Sequence, residues 1–255
     1  QTVVFENVPG FANRYGLGLK KDLERKLKSQ GYVTTSGVLT AMDFGVPQLR
    51  RRFICIGVKK EKLDSKILTL PNPTWNAIQI KKMLTTKQVI GDLDVYQARG
   101  GYGTGQEFGP DKYLKPARTK YQREMRARTG TTSNDSTWNT LIPKHTIRVQ
   151  KRMRAYLSGR TRMSLIGSPL ETKKHSQRVL SENLPPKITV VSLPDDYIHY
   201  NKQMPRTLSV RECARLQTFP DDFKFYGKRL FLTIKIISKF AISGHHSASS
   251  QISEY

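Results

Sequence analysis

The chain has only two cysteines, Cys55 and Cys213, in 255 residues. Two widely separated thiols are too few for a disulfide framework and match no metal-ligand spacing, which points to a reducing, cytosol-like compartment. No stretch approaches the length of an apolar membrane span, and no charged start followed by an apolar segment reads as a secretion signal. Acid is scarce too: 20 Asp and Glu stand against 44 Lys and Arg, a net charge of +24 with a pI near 10.2. That much unbalanced positive charge repels itself unless a polyanion compensates it, so nucleic acid leads as the partner. An anionic membrane surface fits less well, because the cations do not gather on one amphipathic helix. No internal repeat stands out.

What is present suffices for a packed core. Hydrophobic residues make up 37% and charged ones 25%, which argues against global disorder. Residues 1–58 read as an α/β unit. Thr2 to Phe5 form a buried strand that empties into a Glu6-Asn7 loop. Leu19, Leu23 and Leu27 then mark one face of a helix that Gly31 stops. Val38-Leu39 and Phe53 to Val58 read as two further strands, and short connections suggest part of a doubly wound sheet. Residues 61 to about 200 are basic and rich in Gly and Pro, with patchy periodicity. "RGGYGTGQEFG" lacks the spacing of a dinucleotide cradle, while "YQREMRAR" and "RVQKRMRAY" are basic helical candidates. Near Gln203 order returns: Ser209 and Glu212 have capping-box spacing ahead of a short helix that Phe219-Pro220 ends.

Two segments carry chemistry. A carboxylate at a strand tip, Glu6, sits where open α/β folds bind ligands, and Asn7 beside it can fix the loop through its own backbone. An ordinary turn after a strand explains the pair equally. In "QLRRRF", strand alternation puts Gln48, Arg50 and Arg52 on one face and Leu49, Arg51 and Phe53 on the other. Two guanidiniums and an amide make a donor row for a phosphate, a carboxylate or a base carbonyl. A solvated edge strand, or salt bridges to acids elsewhere, fits the same pattern.

Taken together, "FENVPGF", "TAMDFGVPQLRRRFICIG" and "PRTLSVRECARLQTFPDDFKFYG" resemble the DNA (cytosine-5)-methyltransferase family, in order and in spacing. The resemblance is close over residues 3–60 and 203–227. It implies an α/β fold: a partial, Rossmann-like S-adenosylmethionine-dependent methyltransferase sheet with an inserted, mixed target-recognition domain. Residues 1–60 correspond to the second half of the catalytic domain and 61–202 to the recognition domain. Residues 203–227 correspond to a return segment packing the two, and 228–255 to an aberrant or disordered tail. The reaction it implies transfers a methyl group from S-adenosylmethionine to C5 of a cytosine flipped out of double-stranded DNA at a specific sequence. The setting is restriction-modification, in the cytoplasm of a bacterium or near a phage nucleoid. Glu6 matches the acid that contacts N3 and the exocyclic amine, and Arg52 the residue that holds the base O2. Arg50 matches an arginine near the thiol and the backbone phosphate, with Gln48 supporting the pocket. Arg211, Glu212, Arg215 and Gln217 match ties that orient the recognition domain.

The sequence departs from the family at both ends. The glycine-rich cofactor loop and the Pro-Cys-Gln nucleophile precede Glu-Asn-Val in the family, and neither occurs here. Cys55 lies in an apolar strand and Cys213 in a helix, so neither reads as the nucleophile. A truncated enzyme, one chain of a two-chain enzyme completed by a complementary partner, and a non-catalytic DNA binder all remain open. From Lys228 the family's closing Tyr-x-Gln-Ile-Gly-Asn is missing. Reading across codons from Ile236 permits most of it, so a frameshift near 228–236 stands beside a divergent tail. His145 and His175 read as phosphate or backbone contacts, His245-His246 as a tail pair, and no metal site is expected. Most of Tyr102, Tyr113, Tyr121 and Trp138 read as core rather than base-stacking residues.

Overall fold

A computed structural model describes residues 1–13, 17–63, 67–74, 83–93, 111–127, 136–142, 145–173, 177–186 and 197–225. The glycine-rich 99–109 stretch, Tyr102, His175, Pro194 and the 228–255 tail lie outside these residues. The chain forms two compact units that divide between Met83 and Leu84.

In the first unit, β1 (Thr2–Asn7) leads through a 3-10 turn at Pro9–Ala12 to α1 (Leu17–Ser29), then to β2 (Tyr32–Thr40) and β3 (Arg51–Lys59). Gly31, at φ 75°, ends the α1 segment in the left-handed conformation that glycine adopts without penalty. The sheet order is β1-β3-β2, with β3 antiparallel to both neighbours. This departs from the all-parallel arrangement that a doubly wound sheet implies. The reason lies in the link from β2 to β3. A parallel crossover takes a dozen or more residues and usually a helix, whereas residues 41–50 supply one 3-10 turn at Ala41–Phe44. β3 therefore returns antiparallel and wedges between β1 and β2, which remain parallel to each other.

The central place of β3 explains its unbroken apolar run. Phe53 and Cys55 are fully buried and Ile54 nearly so. β1 is different: Val4 is 50% exposed, so the strand read as buried is an edge in the described sheet. Leu19, assigned to the inner face of α1, is also exposed, while Leu23 and Leu27 are half-buried. Behind the sheet Phe11 bridges two strands, its ring 5.1 Å from Phe5 and 5.2 Å from Phe53. These contacts pin the turn after Asn7 against β3.

The second unit is built from short elements: α2 (Thr86–Ile90), α3 (Lys120–Arg126), α4 (Ile147–Leu157) and α5 (Val210–Arg215), with two small ladders. β4 (Asp111–Lys112) pairs antiparallel with β5 (Ser136–Thr137), and β6 (Arg178–Val179) pairs parallel with β7 (Tyr197–Ile198). Full capping boxes start α2, α3 and α5, at Thr85/Gln88, Thr119/Gln122 and Ser209/Glu212. Such caps matter most in helices this short, where nucleation is costly. The apolar core is divided: Val89, Ile90, Leu180, Leu208 and Leu216 form one cluster, and Met153, Tyr156, Leu165 and Ile198 another. Residues 203–225 fold into this unit with residues from 84 onward. No described helix is long and apolar enough to cross a membrane.

The aromatic contact makes a direct expectation. Phe53→Ala should cost about 3–5 kcal/mol by emptying a fully buried site, whereas half-exposed Val4→Ala should cost less than about 1 kcal/mol. Urea unfolding midpoints of the two variants measure the difference.

Candidate active site and a buried polar core

Glu6 and Arg52 meet because of strand register. Glu6 faces Ile54 across the β1–β3 ladder, and Arg52 lies two residues from Ile54 on the same sheet face, a diagonal neighbour. The aromatic side chains Phe5 and Phe53 occupy the other face. Arg52 Nε lies 2.7 Å from Glu6 Oε1, with both side chains about four-fifths buried. The N–H is not aimed at that oxygen, so this is a close ion pair that leaves Oε1 buried without a hydrogen bond. Arg52 Nη1 donates instead to its neighbour's carbonyl, Arg51 O, at 2.8 Å. Asn7 Oδ1 accepts from the Val8 amide at 2.8 Å, holding the loop at the tip of β1.

Gln48 and Arg50 precede β3 rather than lying within it. Their segment is folded by two tight backbone bonds, Gln48 N to Val46 O and Arg50 N to Gln48 O, and Arg50 O accepts from Ala41 N. The alternation of exposure nevertheless continues into this loop: Gln48 and Arg50 are buried, while Leu49 and Arg51 are exposed. Gln48 Nε2 and Arg50 Nη1 are both buried without a hydrogen-bond partner. Burial pulls the Arg50 guanidinium down to about 10, the Arg52 charge adds to the effect, and Glu6 opposes it. Arg50 therefore stays protonated at neutral pH, within electrostatic reach of both Glu6 and Arg52. The first unit thus brings Glu6, Arg52 and Arg50 within electrostatic reach of one another, with Gln48 Nε2 and Arg50 Nη1, nearby in sequence, buried without a hydrogen bond. Burying such atoms is unfavourable, and a ligand that bonds to them recovers the loss.

In the second unit the arginines of α5 are almost wholly buried, and they organise it. Arg215 donates to Asp221 through both Nε and Nη2, to Asp92 at 2.9 Å and to Val89 O at 3.1 Å. Asp92 also takes Arg126, and Tyr113 OH donates to Asp221 at 2.5 Å while its ring lies under the Arg126 guanidinium. Burial opposes the Arg215 charge, but Asp221 and then Asp92 hold its proton more firmly than usual. Arg211 is held by three carbonyls, those of Trp138, Pro220 and Phe223. Glu212 closes the Ser209 capping box and accepts a bidentate pair from Arg206, both bonds at 2.7 Å. His199 Nε2 lies 3.4 Å from Glu212, and its Nδ1 accepts from the Asn201 amide. Gln217 differs from the other three: it is half-buried, and its side chain makes none of these ties.

Other sequence expectations resolve case by case. His145 is buried and bonds to both the amide and the hydroxyl of Thr207, a backbone contact. Tyr121 OH donates to Arg215 O at 2.5 Å, and Lys224 sits over the Trp138 ring. Asp92, Asp221, Arg206 and His199 escaped sequence reasoning. Asp221 and Arg206 lie close enough in sequence to α5 for a charge-pair reading to have found them, but Asp92 has no such signal. Among the described residues, no group of three potential metal ligands converges.

The model of the C-5 cytosine-specific DNA methylase family matches residues 1–240. The chain belongs to that family. It is 30% identical over 250 residues to the type II methyltransferase M.DdeI of Desulfomicrobium norvegicum, covering 89% of this chain and 54% of that protein. It is 31% identical over 228 residues to M.MthTI of Methanothermobacter thermautotrophicus, covering 88% and 57%. The chain thus spans little more than half the length of these relatives. A solved DNA modification methyltransferase encoded within an E. coli prophage shares the fold, with a TM-score of 0.61 at 23% identity, covering 93% of this chain and 64% of that one. In this family member the match runs through both compact units, including the basic stretch whose periodicity was least legible.

Two outcomes test the polar core. Arg215→Met should destabilise by about 3–5 kcal/mol by stranding Asp92 and Asp221, while Gln217→Ala should stay within about 0.5 kcal/mol of wild type. Glu212 supplies a pH dependence. Burial alone would raise its pKa, but Arg206, then His199 and the cap amide, bring it from 4.5 down to about 2. A folded-state value below the unfolded one means this stabilisation is complete above pH 4.5 and is lost as pH falls toward 2. Urea midpoints measured across that range should fall more steeply for wild type than for Glu212→Gln, which starts weaker at neutral pH.

Proposed function

We propose that this chain carries the base-holding half of a DNA (cytosine-5)-methyltransferase of restriction-modification type, which methylates C5 of cytosine at a specific sequence in double-stranded DNA. The carrying observation is the Glu6–Arg52 pair with its unsatisfied neighbours at Gln48 and Arg50. The pairing edge of cytosine presents an amine donor and two acceptors, N3 and O2. One Glu6 oxygen suits the amine and the other a proton shared with N3. Arg52 donors suit O2, and Arg50 suits the adjoining phosphate. A base can reach such a set only after leaving the duplex. C5 attacks a methyl donor once a thiolate adds at C6, and a proton delivered to N3 by Glu6 favours that addition.

Neither cysteine of this chain fits the thiolate. Cys55 is fully buried in β3, and burial, with Glu24 nearby, pushes its thiol up. Cys213 packs against the cluster around Val89 and Leu216. The nucleophile therefore belongs to a complementary segment, in the same gene product or a second chain. S-adenosylmethionine is the donor the family implies. The charged and amide groups of Glu6, Gln48, Arg50 and Arg52 suit a base edge better than an adenosyl group, and no step is assigned through it. Residues 61–202 are the recognition domain in this reading, with their exposed cations facing DNA. The compartment is the one that holds that DNA, the bacterial or phage-infected cytoplasm.

The test is expression of the complete gene product carrying this chain in a host without cytosine-5 methylation, followed by bisulfite sequencing. 5-Methylcytosine should appear at one recurring DNA word, and Glu6→Gln should slow its formation by about 10²–10⁴-fold. A folded product that leaves every cytosine unmodified while binding DNA would favour a non-catalytic DNA binder.

A further inference from the structure

We infer that the exposed face of α4 is a phosphate-tracking surface, which grips the DNA backbone. The inference rests on the reading of the second unit as DNA-binding. Helix α4 is divided sharply along its length. Met153, Tyr156 and the Arg152 side chain are buried, and Met153 and Tyr156 belong to the cluster around Leu165 and Ile198. The opposite arc, Ile147, Arg148, Lys151, Arg154 and Ser158, is exposed. Three cations at i, i+3 and i+6 follow that arc over about 9 Å, a length along which one DNA strand carries a charge roughly every 3.4 Å.

The first turn of the helix is unfavourably charged, although Thr146 caps it and Arg154 suits its last turn. It has no acid in its first turn, and Arg148 sits there, at the positive end of the helix dipole. Like charges three residues apart add further repulsion. Between His145 and Leu180 the sequence holds a single acid, Glu171, and its carboxylate accepts from the Gly167 amide. Among the described residues, Lys151 and Arg154 have no side-chain hydrogen bond or ion pair. Arg148 Nε donates to Pro169 O at 2.7 Å, which fixes the side chain without neutralising it. A polyanion along the arc offsets all of these penalties.

Gln150 is the one amide on α4 suited to pairing with adenine, and its Nε2 donates to His145 O at 3.1 Å. An anionic membrane suits the helix poorly, because its apolar stripe is already used inside the unit and Ile147 alone is an exposed apolar residue on it.

The experiment compares the full chain with Lys151→Gln/Arg154→Gln, which leaves the Arg148–Pro169 bond intact. Lys21→Gln/Lys28→Gln, on exposed positions of α1, removes equal charge as the control. Affinity for a short duplex of random sequence is followed by anisotropy between about 50 and 200 mM salt. The α4 variant should lower the slope of log K against log salt by about 2, and equally on any sequence, while the control leaves it near wild type. The charge-conserving Lys151→Arg/Arg154→Lys should keep the slope, which separates lost contacts from misfolding. Equal slopes for the α4 variant and the control overturn the inference. So does an unchanged DNA slope with lost binding to vesicles containing phosphatidylserine. A reduced slope beside a complete gene product that makes no 5-methylcytosine keeps the α4 surface and sinks the catalytic reading, and the converse holds as well.

Discussion

The insertion of β3 between β1 and β2 is the constraint on which the candidate site depends. Its pairing with β1 sets Glu6 opposite Ile54, and that register alone brings Arg52 diagonally beside the carboxylate. A slip of one residue would send Arg52 to the aromatic face and leave Glu6 facing no cation. The same pairing puts Phe5 and Phe53 on the opposite face, where Phe11 locks the turn that follows Asn7. A charged pair on one side of a two-strand ladder is thereby held by an apolar clasp on the other. Rigidity of this kind holds the charged pair in one geometry.

The second unit solves a different problem. Its elements are too short and its apolar clusters too divided for burial alone to define a unique packing. Buried arginines take over that work: Arg215 links α5 to Asp92 beside α2 and to Asp221 in the following turn, and Asp92 links onward to Arg126 on α3. Buried ion pairs contribute little net stability against an apolar replacement, yet each is directional, and an incorrect packing strands a charge. The polar core is best understood as a device for specificity of fold. It also leaves Arg148, Lys151 and Arg154 of α4 outside the network, exposed on the surface.

The chain could be read from its sequence where local chemistry decides the structure. Ser209 and Glu212 form the capping box that their spacing announces, Gly31 ends the α1 segment with positive φ, and "RVQKRMRAY" is a helix. The alternation that separates Gln48, Arg50 and Arg52 from Leu49 and Arg51 is local as well, and it persists even where the backbone is no longer a strand. The family could be recognised for the same reason, since its motifs are short runs with fixed internal spacing.

Tertiary structure decided whatever depends on partners distant along the chain. Periodicity cannot distinguish a parallel strand from an antiparallel one when the run is apolar throughout, so the position of β3 emerged only from pairing. Val4 and Leu19 look like core residues because apolar side chains carry no record of which neighbours cover them. Asp92 reaches Arg215 across 123 positions, a separation over which no sequence spacing constrains geometry. Gln217 shares a motif with Arg211 and Arg215 but takes no part in their network, because the six-residue helix ends at Arg215 with Leu216 as its cap, and Gln217 lies beyond it in a turn. Sequence thus determined the chemistry available to this protein, and the long-range pairing of strands and charges determined which of those groups meet.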